Sequence, residues 1–230
     1  MVGTHPLRDE VKEFGFAIIP DVISREEVTA ILTALEREIR SHRAGFRNML
    51  ACDAVRRFVS DSRLLGIAKA VLGDRAFPFR ATLFEKSQNA NWIVTWHQDK
   101  ALPMKRRQEK TGWGPWSQKA GVIYALAPAS AMDQILALRV HFDESSHDNG
   151  PLRVLAKTHE MGVLAGDTID ALAAKKSPQE CLIGIGGVIA MRPLLIHASS
   201  KSRVTALRRV LHVEYAANEI LDGDMELASA

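Results

Sequence analysis

The stretch TWHQDKALP, residues 95–103, places a histidine and an aspartate two positions apart at the end of an apolar run. On a β-strand, residues i and i+2 project to the same side, so His97 and Asp99 would face a common partner if the strand continues to Asp99. An imidazole and a carboxylate are both ligands for divalent metals. The pair is therefore either part of a metal site or a chance pair at the surface, and a third ligand is needed to decide.

One of the eight histidines of the chain, His197, ends another apolar run, VIAMRPLLIH, and is the best candidate for that third ligand. Two histidines and one carboxylate on one face of a metal leave its other positions open, which is typical of non-haem Fe(II) oxygenases. Catalytic zinc can use similar ligands, but the sequence has no HExxH helix. Two further histidines, His141 and His212, lie within predicted strands and are interpreted as possible core residues.

Two arginines follow the third histidine on a returning strand. An iron enzyme that activates O2 needs a source of electrons, and 2-oxoglutarate, which carries a distal carboxylate, is a common one. A guanidinium binds a carboxylate through two parallel hydrogen bonds. Arg208 lies 11 residues after His197 and suits this task, but a register slip of one residue would exchange its face with that of Arg209. The residues alone leave both arginines open.

The elements that must position these side chains are mostly short strands. A capping box, Ser24 with Glu27, begins an amphipathic helix, and a second helix is predicted over Asp61–Leu72, just before Gly73. The predicted strands are Phe16–Ile19, Phe77–Lys86, Trp92–His97, Gly121–Leu126, Ile135–Phe142, Leu152–Ala156, Gly187–Met191, Leu194–His197 and Leu207–Tyr215. This order favours a mainly β fold, a sandwich or barrel with helices outside. The Gly-rich residues 184–187 precede a strand, so they predict a turn and not a phosphate loop.

The segment Lys100–Lys119 is predicted to be a long loop. It contains the basic run Lys105–Arg107, followed by Trp113 and Trp116. A loop of this length in a compact domain is often a lid or a binding element. The alternative is a solvated loop whose tryptophans pack on the sheet.

Composition excludes some classes of function. The chain has 230 residues, 25% of them charged, with a net charge of +3, which is too mild to indicate a nucleic-acid or membrane-surface partner. No apolar run approaches the length of a membrane span, and the N-terminus has no apolar signal core. The two cysteines, Cys52 and Cys181, are expected to be buried thiols, and the expected location is the cytoplasm.

Three features of the sequence together resemble the phytanoyl-CoA dioxygenase family: His97-Gln98-Asp99, the stretch DNGPLRVLAKTH at 148–159, and His197 with Arg208. The resemblance covers roughly residues 10 to 216. It implies a double-stranded β-helix core (jelly-roll, cupin-like) with flanking helices. We therefore expect one domain over residues 1–230, with 1–75 as mostly helical support and 76–216 as the core. The family uses Fe(II), 2-oxoglutarate and O2 to hydroxylate small molecules, with release of succinate and CO2.

The resemblance also implies roles for individual residues. The implied iron ligands, which form the catalytic centre, are His97, Asp99 and His197. The implied 2-oxoglutarate contacts are Arg208, Ser199, Gln98, Arg139 and Thr82. This assignment favours Arg208 over Arg209 for the distal carboxylate. Arg139 is a departure, since an aromatic residue can occupy that position, and Ala156-Lys157 is another, where the family often has Pro-Gly. Halogenating members have a small residue in place of the aspartate, so Asp99 favours hydroxylation.

The substrate is expected to be a small molecule. Strand alternation places Lys86 on the same face as Thr82, and His141 on the same face as Arg139, so Lys86 and His141 are predicted to bind substrate. Lys86, Arg139 or the basic run Lys105–Arg107 could attract an acidic substrate, such as an amino acid derivative or carboxylic acid. The alternative is that these lysines are merely solvated. No adenine- or phosphate-binding motif supports an acyl-CoA substrate.

Two functions from other classes compete with the oxygenase. The first is a catalytically silent jelly-roll protein that binds a metal or a small molecule; the intact ligand set and Arg208 argue against it. The second is a nucleic-acid demethylase-type oxygenase that uses Trp113, Trp116 and the basic run Lys105–Arg107 as its binding surface, and the small net charge argues against it. The sequence makes no prediction of the oligomeric state.

Overall fold

The secondary structure comes from a computed structural model that describes residues 4–38, 45–87 and 90–230. The helices in these ranges are α1 (Thr4–Phe14), α2 (Arg25–Glu38), α3 (Asp53–Val59), α4 (Ser62–Leu72), α5 (Ala129–Met132) and α6 (Gly166–Lys175). The strands are β1 (Phe16–Ile19), β2 (Gly45–Phe46), β3 (Phe77–Lys86), β4 (Val94–His97), β5 (Ala101–Met104), β6 (Trp116–Lys119), β7 (Val122–Leu126), β8 (Ile135–His141), β9 (Leu152–Val154), β10 (Gln179–Cys181), β11 (Val188–Met191), β12 (His197–Ser199), β13 (Arg208–Ala216), β14 (Ile220–Leu221) and β15 (Met225–Glu226).

Two antiparallel sheets form the core. The larger has the strand order β1-β11-β8-β13-β3-β2, and the smaller has the order β10-β9-β12-β4. An apolar cluster that includes Ala137 and Ile189 of the larger sheet and Leu152 of the smaller one joins their facing sides. Helices α1 to α4 cover the outer face of the larger sheet through a second cluster. The mainly β, jelly-roll fold with flanking helices that the sequence predicted is confirmed.

Strand β13 carries apolar side chains on one face and mostly polar side chains on the other. Its alternate residues Leu211, Val213 and Tyr215 pack toward the helices. The Tyr215 hydroxyl donates a hydrogen bond to the carbonyl oxygen of Val59 at 2.7 Å, which ties α3 to the sheet. On the other side of the strand, Arg208, His212 and Glu214 are buried polar side chains. The period-two pattern therefore divides the strand into a face toward the helices and a face that contributes Arg208 and His212 to a cavity.

The predicted helix starts are confirmed. Ser24 N donates to Glu27 Oε2 at 2.8 Å, and Glu27 N donates to Ser24 Oγ at 3.2 Å, which is the expected capping box at the start of α2. Asp61 caps α4 by accepting a hydrogen bond from the backbone N–H of Arg63. Gly73 follows α4 with φ +97°.

The prediction of a long loop over Lys100–Lys119 is wrong. Strands β5 and β6 lie within it and pair on either side of β7 in a three-stranded sheet. Trp113 is buried against Leu102 and Met132, and its indole N–H donates to Asp222 Oδ2 at 3.0 Å. The strands were missed because each is only four residues long and polar or proline-bearing, so their stability comes from pairing with β7 and not from a local pattern. The loop is therefore shorter than predicted and covers residues 105–115, between β5 and β6.

Another predicted strand is shifted along the chain. The apolar run Leu194–His197 is not a strand over its length, because β12 begins at His197 and the preceding residues form a buried turn. Residues 184–187 form the predicted turn, and a Cβ on Gly186 would lie 1.8 Å from the carbonyl oxygen of Ile23. Cys52 and Cys181 are buried thiols. No helix in the described ranges is long and apolar enough to cross a membrane.

Candidate metal centre and anion pocket

Three side chains from two adjacent strands converge at one point. His97 ends β4, and His197 begins β12 directly opposite it in the antiparallel register. Asp99 follows β4, and its backbone N–H donates to the carbonyl oxygen of Pro193 at 2.9 Å. The Asp99 carboxylate lies 3.7 Å from His97 Nε2 and 3.6 Å from His197 Nε2. One ligand atom from each residue lies within 4.8 Å of the others, so the set could hold a metal ion.

Backbone carbonyls orient both imidazole rings for this purpose. His97 Nδ1 lies 2.8 Å from the carbonyl oxygen of Thr95, and His197 Nδ1 lies 2.8 Å from that of Leu195. A carbonyl oxygen can only accept, so each Nδ1 carries the proton and each Nε2 presents a lone pair toward Asp99. Burial also lowers the pKa of His197 to about 4, which keeps its ring neutral. The donor set fits a divalent metal such as iron.

The charge on Asp99 is maintained by its neighbours. Burial raises the pKa of this carboxyl, but the positive charge of the groups around it, the Arg80 guanidinium among them, lowers it by more, and the pKa lies below its ordinary value. The side chain is 30% exposed, and it lines an open cavity of about 740 Å³. An ionised carboxylate thus faces a space large enough for two small molecules.

The two arginines that the sequence left open have opposite environments. Arg209 is engaged by Asp143, which accepts from its Nε and Nη2, both at 2.8 Å. Arg208 is 4% exposed and lines the cavity, and its Nε and Nη1 have no hydrogen-bond partner among the described residues. Burial and the nearby Arg139 lower the pKa of Arg208 to about 9. A buried guanidinium with two unused donors fits an incoming carboxylate such as that of 2-oxoglutarate.

Lys86 reinforces this positive end of the cavity. It lies directly opposite Arg208 in the register of β3 with β13, and it is 1% exposed, so the alternative of a solvated Lys86 is wrong. Its Nζ donates to Ser199 Oγ at 2.9 Å and also contacts the carbonyl oxygen of Ser200. Burial, with the charge of Arg208, lowers the pKa of Lys86 to about 7. Lys86 and Ser199 therefore lie beside Arg208.

The middle of the cavity is lined by Thr82, Arg139 and His212, which are neighbours across three strands. Arg139 Nη1 lies 3.3 Å from His212 Nδ1, and the guanidinium lies 5.8 Å from the Phe84 ring centroid. Burial and the Arg139 charge lower the pKa of His212 to about 3, so the ring is neutral and accepts from Arg139. His212 was taken for a core residue; its position four residues after Arg208 on the same strand face was the signal that could have identified it.

Gln98 lies between two of the ligands and its amide is fully used. Its Nε2 donates to the carbonyl oxygens of Gly162 and Leu194, both at 2.8 Å, and its Oε1 accepts from the N–H of Leu164 at 2.8 Å. These bonds join the chain after β4 to two other segments. Gln98 lines the cavity, but its geometry suits holding His97 and Asp99 in place better than binding a ligand.

One predicted site residue does not line the cavity. His141 is completely buried at the end of β8, and neither ring nitrogen has a hydrogen-bond partner in the described part of the chain. Burial and the charges of Arg139 and Arg208 lower its pKa well below the ordinary value. Strand alternation places His141 on the same side of β8 as Arg139. Because the ring is completely buried at the end of the strand, it does not reach the space that a substrate could occupy.

The sequence profile described as phytanoyl-CoA dioxygenase (PhyH) matches residues 11–210, which is most of the chain. The chain belongs to the phytanoyl-CoA dioxygenase family. Members of this family are iron- and 2-oxoglutarate-dependent oxygenases, so the family confirms the oxygenase class that the sequence predicted. No curated protein sequence matches the chain significantly.

Solved structures with low sequence identity share the fold of this family member. AviO1 from Streptomyces viridochromogenes Tue57 matches with a TM-score of 0.68 and 16% identity, covering 94% of this chain and 96% of that chain. EctD from S. alaskensis, solved with 2-oxoglutarate and 5-hydroxyectoine, matches with a TM-score of 0.70 and 17% identity over 92% of this chain and 75% of EctD. The epimerase SnoN from nogalamycin biosynthesis matches with a TM-score of 0.69 and 14% identity over 93% and 80% of the two chains.

Proposed function

We propose that this protein is an Fe(II)- and 2-oxoglutarate-dependent hydroxylase of a small, acidic molecule, such as a carboxylic acid or amino acid derivative, and that it releases succinate and CO2. The observation that carries the proposal is the presence, in one cavity, of the converging His97, Asp99 and His197 and of the buried Arg208 with unused donors. A metal site alone would serve many purposes. A metal site that shares a cavity with a buried carboxylate receptor suits a 2-oxo acid cosubstrate.

In this proposal the two histidines and Asp99 hold iron, and iron with 2-oxoglutarate and O2 supplies the oxidising chemistry when bound. The protein contributes position and charge. The Thr95 and Leu195 carbonyls fix the two rings, and Gln98 anchors the segment that carries His97 and Asp99. Preset rings and a preset carboxylate reduce the reorganisation needed when the metal binds.

Arg208 would bind the distal carboxylate of 2-oxoglutarate, with Ser199 and Lys86 alongside it. Arg139 and Thr82 would line the same cosubstrate between Arg208 and the metal ligands. His212 remains neutral and directs the Arg139 guanidinium by accepting its hydrogen bond. Asp99 supports hydroxylation over halogenation, because a complete set of protein ligands leaves no position for a halide in addition to the cosubstrate and O2.

The first experiment is an anaerobic titration of the protein with Fe(II) and 2-oxoglutarate. We expect the weak visible charge-transfer band, near ~500 nm, of a 2-oxo acid on a facial-triad iron. Admission of O2 should bleach the band and yield succinate. The variant Asp99→Ala should lose the band and the succinate, while Asp74→Ala, which removes an exposed carboxylate from a turn, should retain both.

The outcomes separate the candidate functions. No band with bound iron would contradict 2-oxoglutarate use and would leave a metal-binding protein. A band without oxygenated product, across a panel of carboxylic acids and amino acid derivatives, would contradict the hydroxylase. A product that gains one oxygen atom would establish hydroxylation.

A further inference from the structure

The cavity has a second cationic end that the cosubstrate does not use. On β3, alternate residues face the cavity, with Lys86 opposite Arg208 at one end and Arg80 opposite Glu214 at the other. Lys86 and Arg80 are six positions apart on β3, and a strand rises about 3.3 Å per residue, so the two ends are roughly 20 Å apart. A carboxylate bound by Arg208 cannot reach Arg80. Thr82 lies between these ends on the same face of β3, opposite His212, and it lines the cavity together with the triad.

The far end is built around Arg80 and Tyr124. Arg80 forms an ion pair with the buried Glu214, and its Nη1 donates to the carbonyl oxygen of Ala101 at 2.9 Å. Its guanidinium carbon lies 5.9 Å from the centroid of the buried Tyr124 ring. Glu214 offsets the charge of Arg80, so Arg80 serves mainly as a fixed support. The wall at this end is the sheet of β5, β6 and β7.

Two further cations at this end are exposed and have no carboxylate partner among the described residues. Lys119 ends β6, with its Nζ 6.0 Å from the Tyr124 ring centroid. Arg47 directly follows β2, whose last residue, Phe46, lies opposite Leu83 of β3. Both line the cavity, and Asp99 is the only acidic residue that the described chain contributes to its lining. Asp99 is committed to the metal site. The positive charge at the mouth is therefore available to an anion from solution.

We infer that Lys119 and Arg47, supported by Tyr124 and Arg80, form an anion subsite that binds a carboxylate or phosphate group of the substrate. The inference rests on the proposed function and deepens it, because it orients the substrate with its acidic group at the mouth and its remainder toward the triad. The inference also moves the binding of an acidic substrate group to Lys119 and Arg47, away from Lys86 and the basic run Lys105–Arg107. Lys86 lies at the cosubstrate end. In the basic run Lys105–Arg107, Lys105 pairs with Glu226 and Arg107 with Glu109, and neither lines the cavity.

The test uses the full chain loaded with Mn(II) in place of Fe(II), saturated with 2-oxoglutarate and freed of unbound metal. Inorganic phosphate and acetate are the probes, and the broadening of their NMR signals by the paramagnetic ion is measured. Saturating 2-oxoglutarate blocks the Arg208 end, so broadening reports the other end. We expect the signals of both probes to be broadened if the subsite accepts either anion. Broadening of the phosphate signal alone would indicate a phosphorylated substrate, and broadening of the acetate signal alone would indicate a carboxylic acid.

The matched variants decide the assignment. The double variant Lys119→Gln/Arg47→Gln should bind the probes roughly tenfold more weakly, since each exposed charge contributes a fraction of the binding free energy. The control variant is Lys105→Gln. Lys105 is an exposed lysine that follows β5 and does not line the cavity, so its replacement should leave the broadening unchanged. Absence of broadening in the wild type, or equal broadening in the double variant, would overturn the subsite. Failure of Mn(II) to bind would instead contradict the proposed function, and the subsite with it.

Discussion

Arg208 and Arg209 are adjacent in sequence, yet only one is available to a ligand. Arg209 turns outward to Asp143, while Arg208 turns into the cavity with two unused donors. We expect Arg208→Ala to weaken 2-oxoglutarate binding by about 3 kcal/mol, roughly a hundredfold, because two charge-assisted hydrogen bonds are lost. The measurement is the dissociation constant from the anaerobic charge-transfer titration.

Arg209→Ala is the matched control for this prediction. It removes a guanidinium of the same size from the next position, so the dissociation constant for 2-oxoglutarate should stay within about twofold, with a modest loss of stability from the broken Asp143 pair. The reverse result, weak binding in Arg209→Ala and normal binding in Arg208→Ala, would move the carboxylate receptor to Arg209.

At the scale of elements, the turn around Gly150 supports the end of the cavity that Arg208 and Lys86 line. Gly150 has φ +69°, and a Cβ there would lie 2.3 Å from the carbonyl oxygen of Ser200, the same oxygen that Lys86 contacts. We expect Gly150→Ala to displace this segment, to lower the free energy of unfolding by about 3 kcal/mol and to weaken 2-oxoglutarate binding about tenfold.

Gly121→Ala separates the steric effect from the backbone effect. Gly121 has φ +80°, but a Cβ there would meet nothing within 4 Å. This variant should lose only the roughly 1–2 kcal/mol of left-handed backbone strain and should bind 2-oxoglutarate normally. Chemical denaturation and the charge-transfer titration check both variants. Equal losses in the two would refute the steric role of Gly150.

The capping box of α2 gives a pH-dependent contribution to stability. The Arg63 side chain and the Ser24 backbone N–H lower the pKa of Glu27 to about 2, from an ordinary value near 4.5. Because the folded pKa is depressed, the contribution is present above about pH 4.5 and is lost as pH falls toward 2. Both partners are more than 40% exposed, so it should not exceed about 1 kcal/mol.

The measurement for this prediction is the difference in free energy of unfolding between the wild type and Glu27→Gln as a function of pH. The difference should be constant near neutral pH and shrink between about pH 4.5 and pH 2. A difference that grows as the pH falls would contradict the assignment of the shift to the charged form of Glu27.

At the scale of the whole molecule, the helices and the larger sheet share one apolar cluster, which includes Val11, Leu64, Leu138 and Val213. We therefore propose that residues 1–230 unfold as one domain in a single cooperative transition. All four tryptophans lie between residues 92 and 116, so their fluorescence reports the β region, whereas far-UV circular dichroism also reports the helices. The two unfolding curves should coincide. A separate early loss of helical signal would indicate that residues 1–75 form an independent unit.

The sequence by itself determined the parts of this protein that depend on local spacing. The spacing of two residues indicated His97 and Asp99 as a pair, although β4 ends at His97 and Asp99 follows the strand, and the capping box at Ser24 is complete within four residues. The family motifs then indicated His197 and Arg208, although these residues are distant in sequence from the HxD pair.

Only the tertiary structure decided what depends on pairing between distant segments. It made β5 and β6 a packed sheet where a loop was predicted, since their partner β7 supplies the hydrogen bonds that their own residues do not signal. It enclosed His141 and opened His212 to the cavity, although both lie on predicted strands. It also brought Arg47, Lys119 and Tyr124 together in the lining of one cavity. Whether a side chain is enclosed or lines the cavity depends on which other strands pack around it. That packing exists only in the assembled sheets, and no pattern within a single strand encodes it.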